Sequence, residues 1–131
     1  MTRSTIQTDL APAAIGPYSQ GVAAGGFVFT AGQIGLDPAT GEMVEGGVVA
    51  EALQAITNLE AVLAAGGCSL ADVVKTTLFL ADMRDFAAVN GVYDSRFGAP
   101  YPARSAVEAA GLPKGALFEI EAVAVIPGSK L

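Results

Sequence analysis

Two segments with a helical pattern, residues 48–65 and residues 82–97, each stand between segments with a strand pattern. In both, apolar residues recur at the spacing of one helix face. The expected core positions are Val49, Leu53, Ile56, Leu59 and Leu63 in the first helix and Phe86, Val89, Tyr93 and Phe97 in the second. Strands are expected over residues 19–24, 27–35, 73–80, 101–108 and 117–126, with a short candidate strand at 43–45. This order predicts an α+β fold in which two helices pack on one face of a mixed β-sheet.

The chain has the length of one domain, which we expect to span residues 1–131. Hydrophobic residues make up 52% of the chain and charged residues 15%, which is too apolar for disorder and suggests further burial between subunits. Because both helices are expected on one face of the sheet, the other face would be exposed in a monomer. We therefore expect the protein to oligomerise.

The composition excludes several classes of function. The net charge is -6 with no basic cluster, which argues against nucleic acid as a partner. There is no histidine and a single cysteine, Cys68, so histidine-dependent triads, histidine zinc sites and a disulfide framework are excluded. The glycine motifs that bind nucleotide phosphates are also missing. Acid–base chemistry would fall to Asp, Glu, Tyr, Lys, a terminus or water.

Signals for export and for membrane insertion are missing from the sequence as well. Residues 1–9 contain no apolar segment of the signal-peptide type, and no run reaches the roughly 18 apolar residues of a membrane helix. We expect a cytoplasmic protein with no membrane partner.

The segment from Tyr101 to Glu108 carries the strongest candidate for a binding residue. Strand alternation places Arg104 and Ala106 on one face, among small neighbours. Small neighbours leave space in front of the guanidinium, and this planar group binds a carboxylate through two parallel hydrogen bonds. The alternative is a surface or interface ion pair, which these residues alone do not exclude.

Further candidate site residues each have a purely structural alternative. Tyr18 follows Gly-Pro in a rigid loop, where it could instead cap the edge of the core. Gly32 inside a strand pattern indicates a close approach to the backbone, or a bulge without a ligand. Asn90 lies beside the apolar stripe of the second helix, where a local hydrogen bond is the common role. Glu119 and Glu121 share one face of the last strand and could form interface ion pairs.

Seven short motifs are spread over nearly the whole chain. They are AAIGPYSQG at 13–21, TAGQI at 30–34, VKTT at 74–77, FAAVNGVY at 86–93, PARSAVE at 102–108, LPK at 112–114 and EIEA at 119–122. In this order they resemble the RidA family, also called YjgF, the reactive-intermediate deaminases. The similarity is greatest to the archetypal RidA branch.

The resemblance implies a chorismate-mutase-like α+β fold and a homotrimer, with a central β-barrel and clefts between subunits. It also implies the activity of a 2-iminobutanoate/2-iminopropanoate deaminase. Such enzymes hydrolyse 2-aminoacrylate and related enamines or imines to 2-keto acids and ammonia, which prevents damage to pyridoxal-phosphate enzymes. The family uses no metal and no organic cofactor, so the implied partners are a small 2-imino or 2-keto acid and further copies of the chain.

The resemblance also implies roles for individual residues. Arg104 matches the arginine that binds the substrate carboxylate, and Tyr18 matches a tyrosine of the site. Gly32 and Asn90 match residues that border the pocket. Glu119 matches the glutamate that positions the attacking water, and whether it is also the general base is left open. At position 106 many archetypal members carry cysteine, whereas this chain has Ala106, which keeps the main-chain N–H that contacts ligand in the family.

Two rival functions remain open at this point. The first is a trimer that binds 2-keto acids or exposed hydrophobic chains without turnover. The second is ribonuclease or translation inhibition, a label that some family members carry, against which the acidic balance and the missing histidine both argue.

Overall fold

The computed structural model describes residues 2–128. The strands are β1 (Arg3–Ile6), β2 (Gly21–Ala24), β3 (Phe27–Thr30), β4 (Val73–Leu80), β5 (Ala103–Glu108) and β6 (Phe118–Val125). The helices are α1 (Gly47–Ala65) and α2 (Phe86–Phe97), and short 3-10 turns lie at Leu70–Asp72, Met83–Asp85 and Pro113–Gly115. The second helical segment therefore starts as a 3-10 turn, in which Asp82 accepts a hydrogen bond from the main-chain N–H of Arg84, and becomes α-helical at Phe86.

The six strands form one mixed sheet in the order β1-β2-β3-β6-β4-β5. Only β4 and β5 run parallel among these strands, and α2 connects them, as a parallel crossover requires. The α+β prediction of a mixed sheet with two helices is confirmed. The strand predicted at 43–45 is wrong: Met43 makes an isolated bridge with Leu36, because the segment folds back on its own turn rather than on the sheet.

One face of the sheet is covered by both helices. On β6 the buried residues Phe118, Ile120, Ala122 and Ala124 alternate with less buried ones, and they share a core cluster with α1 and α2. The residues between them, which include Glu119 and Glu121, lie on the opposite face. No helix of residues 2–128 covers that face, where Phe29 and Val107 are each more than 40% exposed.

The core face of α1 agrees with the prediction in part: Ile56, Leu59 and Leu63 are fully buried, as expected. Val49 and Leu53 are exposed, whereas Ala52, Ala55 and Asn58 are fully buried. Small residues form this face because α1 packs closely on the sheet and on the chain after β3, where a Cβ on Gly35 would come within 2.8 Å of the Glu51 Cα. The helix has the length and hydropathy of a membrane span, but eight of its residues are buried inside the protein, as in a core helix.

Candidate functional site

Arg104 lies on β5, at one edge of the sheet, and its side chain turns towards α2. The guanidinium donates a hydrogen bond from Nη1 to Asn90 Oδ1 at 2.8 Å. Its central carbon also lies 4.9 Å from the ring centre of Tyr93 and 5.3 Å from that of Phe86. Although Arg104 is exposed to solvent, these contacts with α2 hold its side chain in place.

No carboxylate of residues 2–128 pairs with Arg104. The ion pairs in this part of the chain join Arg84 to Asp82 and Arg96 to Glu60. Asp94, which lines the same cavity, instead accepts a hydrogen bond from the Tyr101 hydroxyl. The ion-pair alternative for Arg104 is thus not realised within residues 2–128. The guanidinium faces a cavity of about 440 Å³ and uses one of its N–H groups on a side chain of this part of the protein.

A second cavity, of about 540 Å³, contains three other candidate residues: Tyr18, Gly32 and Glu119. Its wall is mainly apolar and includes Ile15 and Ile34. A Cβ built on Gly32 would come within 2.8 Å of Glu119 Cδ, so only glycine leaves space for the carboxyl group at this position. The sequence signal of a glycine inside a strand pattern therefore marks a close approach, here by a side chain of the neighbouring strand.

The environment of Glu119 favours the protonated carboxyl. Burial raises the pKa of Glu119 above its ordinary value, and the like charge of Glu121, on the same face of β6, raises it further. A carboxylate with a raised pKa is a better proton acceptor than an ordinary glutamate. No three acidic or cysteine side chains within residues 2–128 group closely enough to hold a metal ion.

Buried polar side chains hold the loops around this cavity, and the sequence analysis assigned no role to them. Gln20 is 3% exposed; its amide donates to the carbonyls of Thr8 and Pro12 and accepts from the Thr8 N–H, which fixes the loop that leads to Tyr18. Asn58 donates to the carbonyls of Ile34 and Leu36, at 3.1 and 2.8 Å. An asparagine among the mainly apolar residues of this helix face was the sequence signal that could have identified this second anchor.

The two groups of candidate residues lie on opposite faces of the sheet in one chain. Arg104 pairs in register with Thr76, which is fully buried on the helix face. Glu119 pairs with Phe79, three residues further along β4 and on the other face. Ala106 lies on the Arg104 side, half-buried and packed against the core. The fold thus brings Arg104 to Asn90, and Glu119 to Gly32 and Tyr18, but does not join the two sets.

Comparison with known proteins identifies the family of this chain. A family model described as Endoribonuclease L-PSP matches residues 8–126. A goat (Capra hircus) protein named 2-iminobutanoate/2-iminopropanoate deaminase is 53% identical, over 95% of this chain and 91% of its own length.

Solved structures agree with this match. The crystal structure of RidA from the Antarctic bacterium Psychrobacter sp. is 50% identical, with a TM-score of 0.90, covering 94% of this chain and 99% of that one. The E. coli TdcF structure with bound serine is 46% identical, with a TM-score of 0.87, covering 93% and 98%. The family predicted from the seven motifs is therefore confirmed, and the chain belongs to the RidA/YjgF family.

Proposed function

We propose that this protein hydrolyses 2-aminoacrylate-type enamines and the corresponding 2-imino acids to 2-keto acids and ammonia. The observation that carries this proposal is the Arg104 guanidinium, which neutral groups fix on α2 and which forms no ion pair with any carboxylate of residues 2–128 in the cavity it faces. Such a group is suited to bind the carboxylate of a small acid. The activity agrees with the names of relatives from goat, mouse and human, each at least 50% identical to this chain.

The chemistry requires little beyond positioning. The carbon of the C=N bond is already electrophilic, and water adds to it while a proton passes to the nitrogen. The resulting amino alcohol then loses ammonia, so one water is consumed for each 2-keto acid and ammonia formed. Holding the carboxylate on Arg104 and a water on Glu119 contributes up to about 7–11 kcal/mol in ideal geometry.

In our proposal, the attacking water is held in the part of the site formed by Glu119, Gly32 and Tyr18. The raised pKa of Glu119 suits it to accept a proton from the attacking water and to return one to the leaving nitrogen. Gly32 leaves the space that the carboxyl occupies, and Tyr18 lies at the wall of the same cavity. The substrate carboxylate would bind in the other part of the site, at Arg104, with Asn90 and the main chain at Ala106 beside it.

We further propose that the site is completed by a second copy of the chain, within a homotrimer. Arg104 and Glu119 lie on opposite sheet faces, separated by about 10 Å across two strands and about 10 Å along them, too far for one small imine. The uncovered face carries Phe27, Phe29, Phe79, Val107 and Val123, an apolar surface suited to pack against further copies.

The main alternative is a protein of the same assembly that binds small acids without turnover. The E. coli TdcF structure contains serine, so binding in that protein extends to an amino acid. RNA cleavage, which the family description names, receives no support from the net charge of -6 or from a chain without histidine.

We place the deaminase in the cytoplasm, where it would protect pyridoxal-phosphate enzymes from reactive imines.

The proposal is tested by generating 2-aminoacrylate in situ with a serine dehydratase and following the decay of the imine. The wild-type protein should accelerate the decay, and Arg104→Lys should lose most of that acceleration because a point charge does not reproduce the planar fork. Arg84→Lys is the matched control, since Arg84 is exposed and its one ion pair among residues 2–128 is with Asp82. Saturable binding of a 2-keto acid without faster imine decay would instead favour the non-catalytic alternative.

A further inference from the structure

Three side chains on one face of α2 contact the Arg104 guanidinium. They are Phe86, Asn90 and Tyr93, at the i, i+4 and i+7 positions of the helix. All three are uncharged, so they fix the guanidinium without neutralising it. A carboxylate in place of any of them would compete with a bound acid for the same hydrogen-bond donors. We call this set the arginine cradle.

Tyr93 is the member of the arginine cradle that is tied most firmly to the rest of the fold. Its hydroxyl shares a 2.8 Å hydrogen bond with the Thr76 hydroxyl, and both residues are buried. Thr76 is also the register partner of Arg104 across the β4–β5 pair. The Tyr93 ring additionally stacks with Phe97, at 4.3 Å between ring centres and 21° between planes. One buried hydrogen bond thus links the strand next to Arg104 with the ring under its guanidinium.

We propose that Tyr93, locked by Thr76, is a positioning residue for the deaminase reaction: it sets the plane of the Arg104 guanidinium. This inference rests on the proposed function and adds a residue that acts through Arg104 rather than on the substrate itself. The guanidinium carbon lies over the Tyr93 ring, so the position of the ring limits how the planar guanidinium can be oriented. Because Nη1 donates to Asn90 Oδ1, the other N–H groups of the guanidinium then point in one fixed direction.

A purely structural role for Tyr93 makes a different prediction. If the ring only fills the core, removing its hydroxyl should lower stability and leave the binding of acids unchanged. If the hydroxyl fixes the ring under Arg104, its removal should weaken the grip on the substrate carboxylate. Arg104 binds the substrate carboxylate in the ground state and the transition state alike, so weaker binding should raise KM while kcat changes little.

The experiment compares Tyr93→Phe, Thr76→Val and the double variant in the imine-decay assay, with binding of 2-oxobutanoate measured by calorimetry. Each single variant should raise KM and the Kd of 2-oxobutanoate by about 5- to 20-fold, and the double variant should resemble the singles, because the two hydroxyls act as one pair. Val89→Ala is the control: Val89 is buried in the core on α2 and is not one of the three residues of the arginine cradle, so this variant should melt earlier with KM unchanged.

Several outcomes would overturn the proposal. Unchanged KM and Kd in Tyr93→Phe would reject it while leaving the deaminase function intact, and so would a similar rise in Val89→Ala. A double variant whose losses multiply would show that the hydroxyls act separately. If the wild-type protein does not hydrolyse imines, the proposed function fails, and the calorimetric comparison still decides whether Tyr93 positions Arg104 for binding acids.

Discussion

Gly32 shows how one missing side chain shapes the candidate site. The Glu119 carboxyl occupies the space that a Cβ at position 32 would fill. Gly32→Ala should therefore displace the carboxyl and lower kcat/KM for imine hydrolysis by at least about 100-fold, as misplacement of a catalytic group by about 1 Å can do. Steady-state kinetics together with thermal melting measure the two consequences separately.

Gly91→Ala is the matched control for that substitution. Gly91 lies within α2, and a Cβ there would have no neighbour within 4 Å. Alanine is the better helix former by about 0.5–1 kcal/mol, so this variant should be at least as stable as the wild type and equally active. Full activity in Gly32→Ala would mean that the Glu119 carboxyl does not need its present position.

The raised pKa of Glu119 predicts a pH dependence with a definite direction. If Glu119 accepts a proton from water, kcat/KM should fall as the pH drops through the pKa of Glu119 in the folded protein. Glu121→Gln removes one of the two causes of the raised pKa, and should move this acid limb to lower pH. Glu119→Gln should remove the limb altogether. A limb that stays in place in both variants would assign it to another group.

The same shift has a consequence for stability. Because the folded state binds the Glu119 proton more tightly than the unfolded state, this residue makes the protein less stable as the pH rises from the unfolded pKa through the folded one. Glu119→Gln should therefore stabilise the fold near neutral pH, and the gain should vanish in acid, where the wild-type carboxyl is neutral too. Urea denaturation at several pH values measures the difference.

At the level of elements, α1 holds the loop that contains Gly32. The Asn58 amide binds the carbonyls of Ile34 and Leu36, so Asn58→Ala leaves two buried acceptors without partners and should cost about 2–4 kcal/mol in the free energy of unfolding. It should also lower activity by loosening Gly32. Gln54→Ala removes only the hydrogen bond that Gln54 donates to Asn58 and should cost less than about 1 kcal/mol. Equal losses in the two variants would contradict this anchoring role.

The sequence predicted well those elements whose apolar residues recur with the period of a buried strand or helix face. The strand over residues 73–80 agrees with β4, and the α2 stripe agrees in that Val89 and Tyr93 are buried. The strand β1 was missed because it lies at the sheet edge with three of four residues exposed, so backbone pairing with β2 holds it rather than apolar burial. The inner face of α1 was predicted in part: Ile56, Leu59 and Leu63 are buried as expected, but Asn58 was missed because a hydrogen bond to distant backbone leaves no periodic signal.

At the level of the whole molecule, strand and helix patterns identified the candidate residues, and the matched motifs gave them their roles. Periodicity correctly placed Arg104 and Glu119 on strands, but it could not show that their side chains lie on opposite faces, because that depends on the register of β5 and β6 against β4. In our proposal, a single chain therefore holds only part of each site, because this register keeps its Arg104 and Glu119 apart. The central claim is therefore that Arg104 of one copy and Glu119 of another act on the same substrate.

Mixing two inactive variants tests this claim directly. Arg104→Ala and Glu119→Gln should each be inactive alone, and unfolding and refolding them together should produce mixed assemblies. In a random mixture, a site between two copies receives both wild-type residues with a probability of about one quarter, so about one quarter of the wild-type activity should return. Activity no higher than that of the separate variants, in assemblies shown to be mixed, would contradict a site shared between copies.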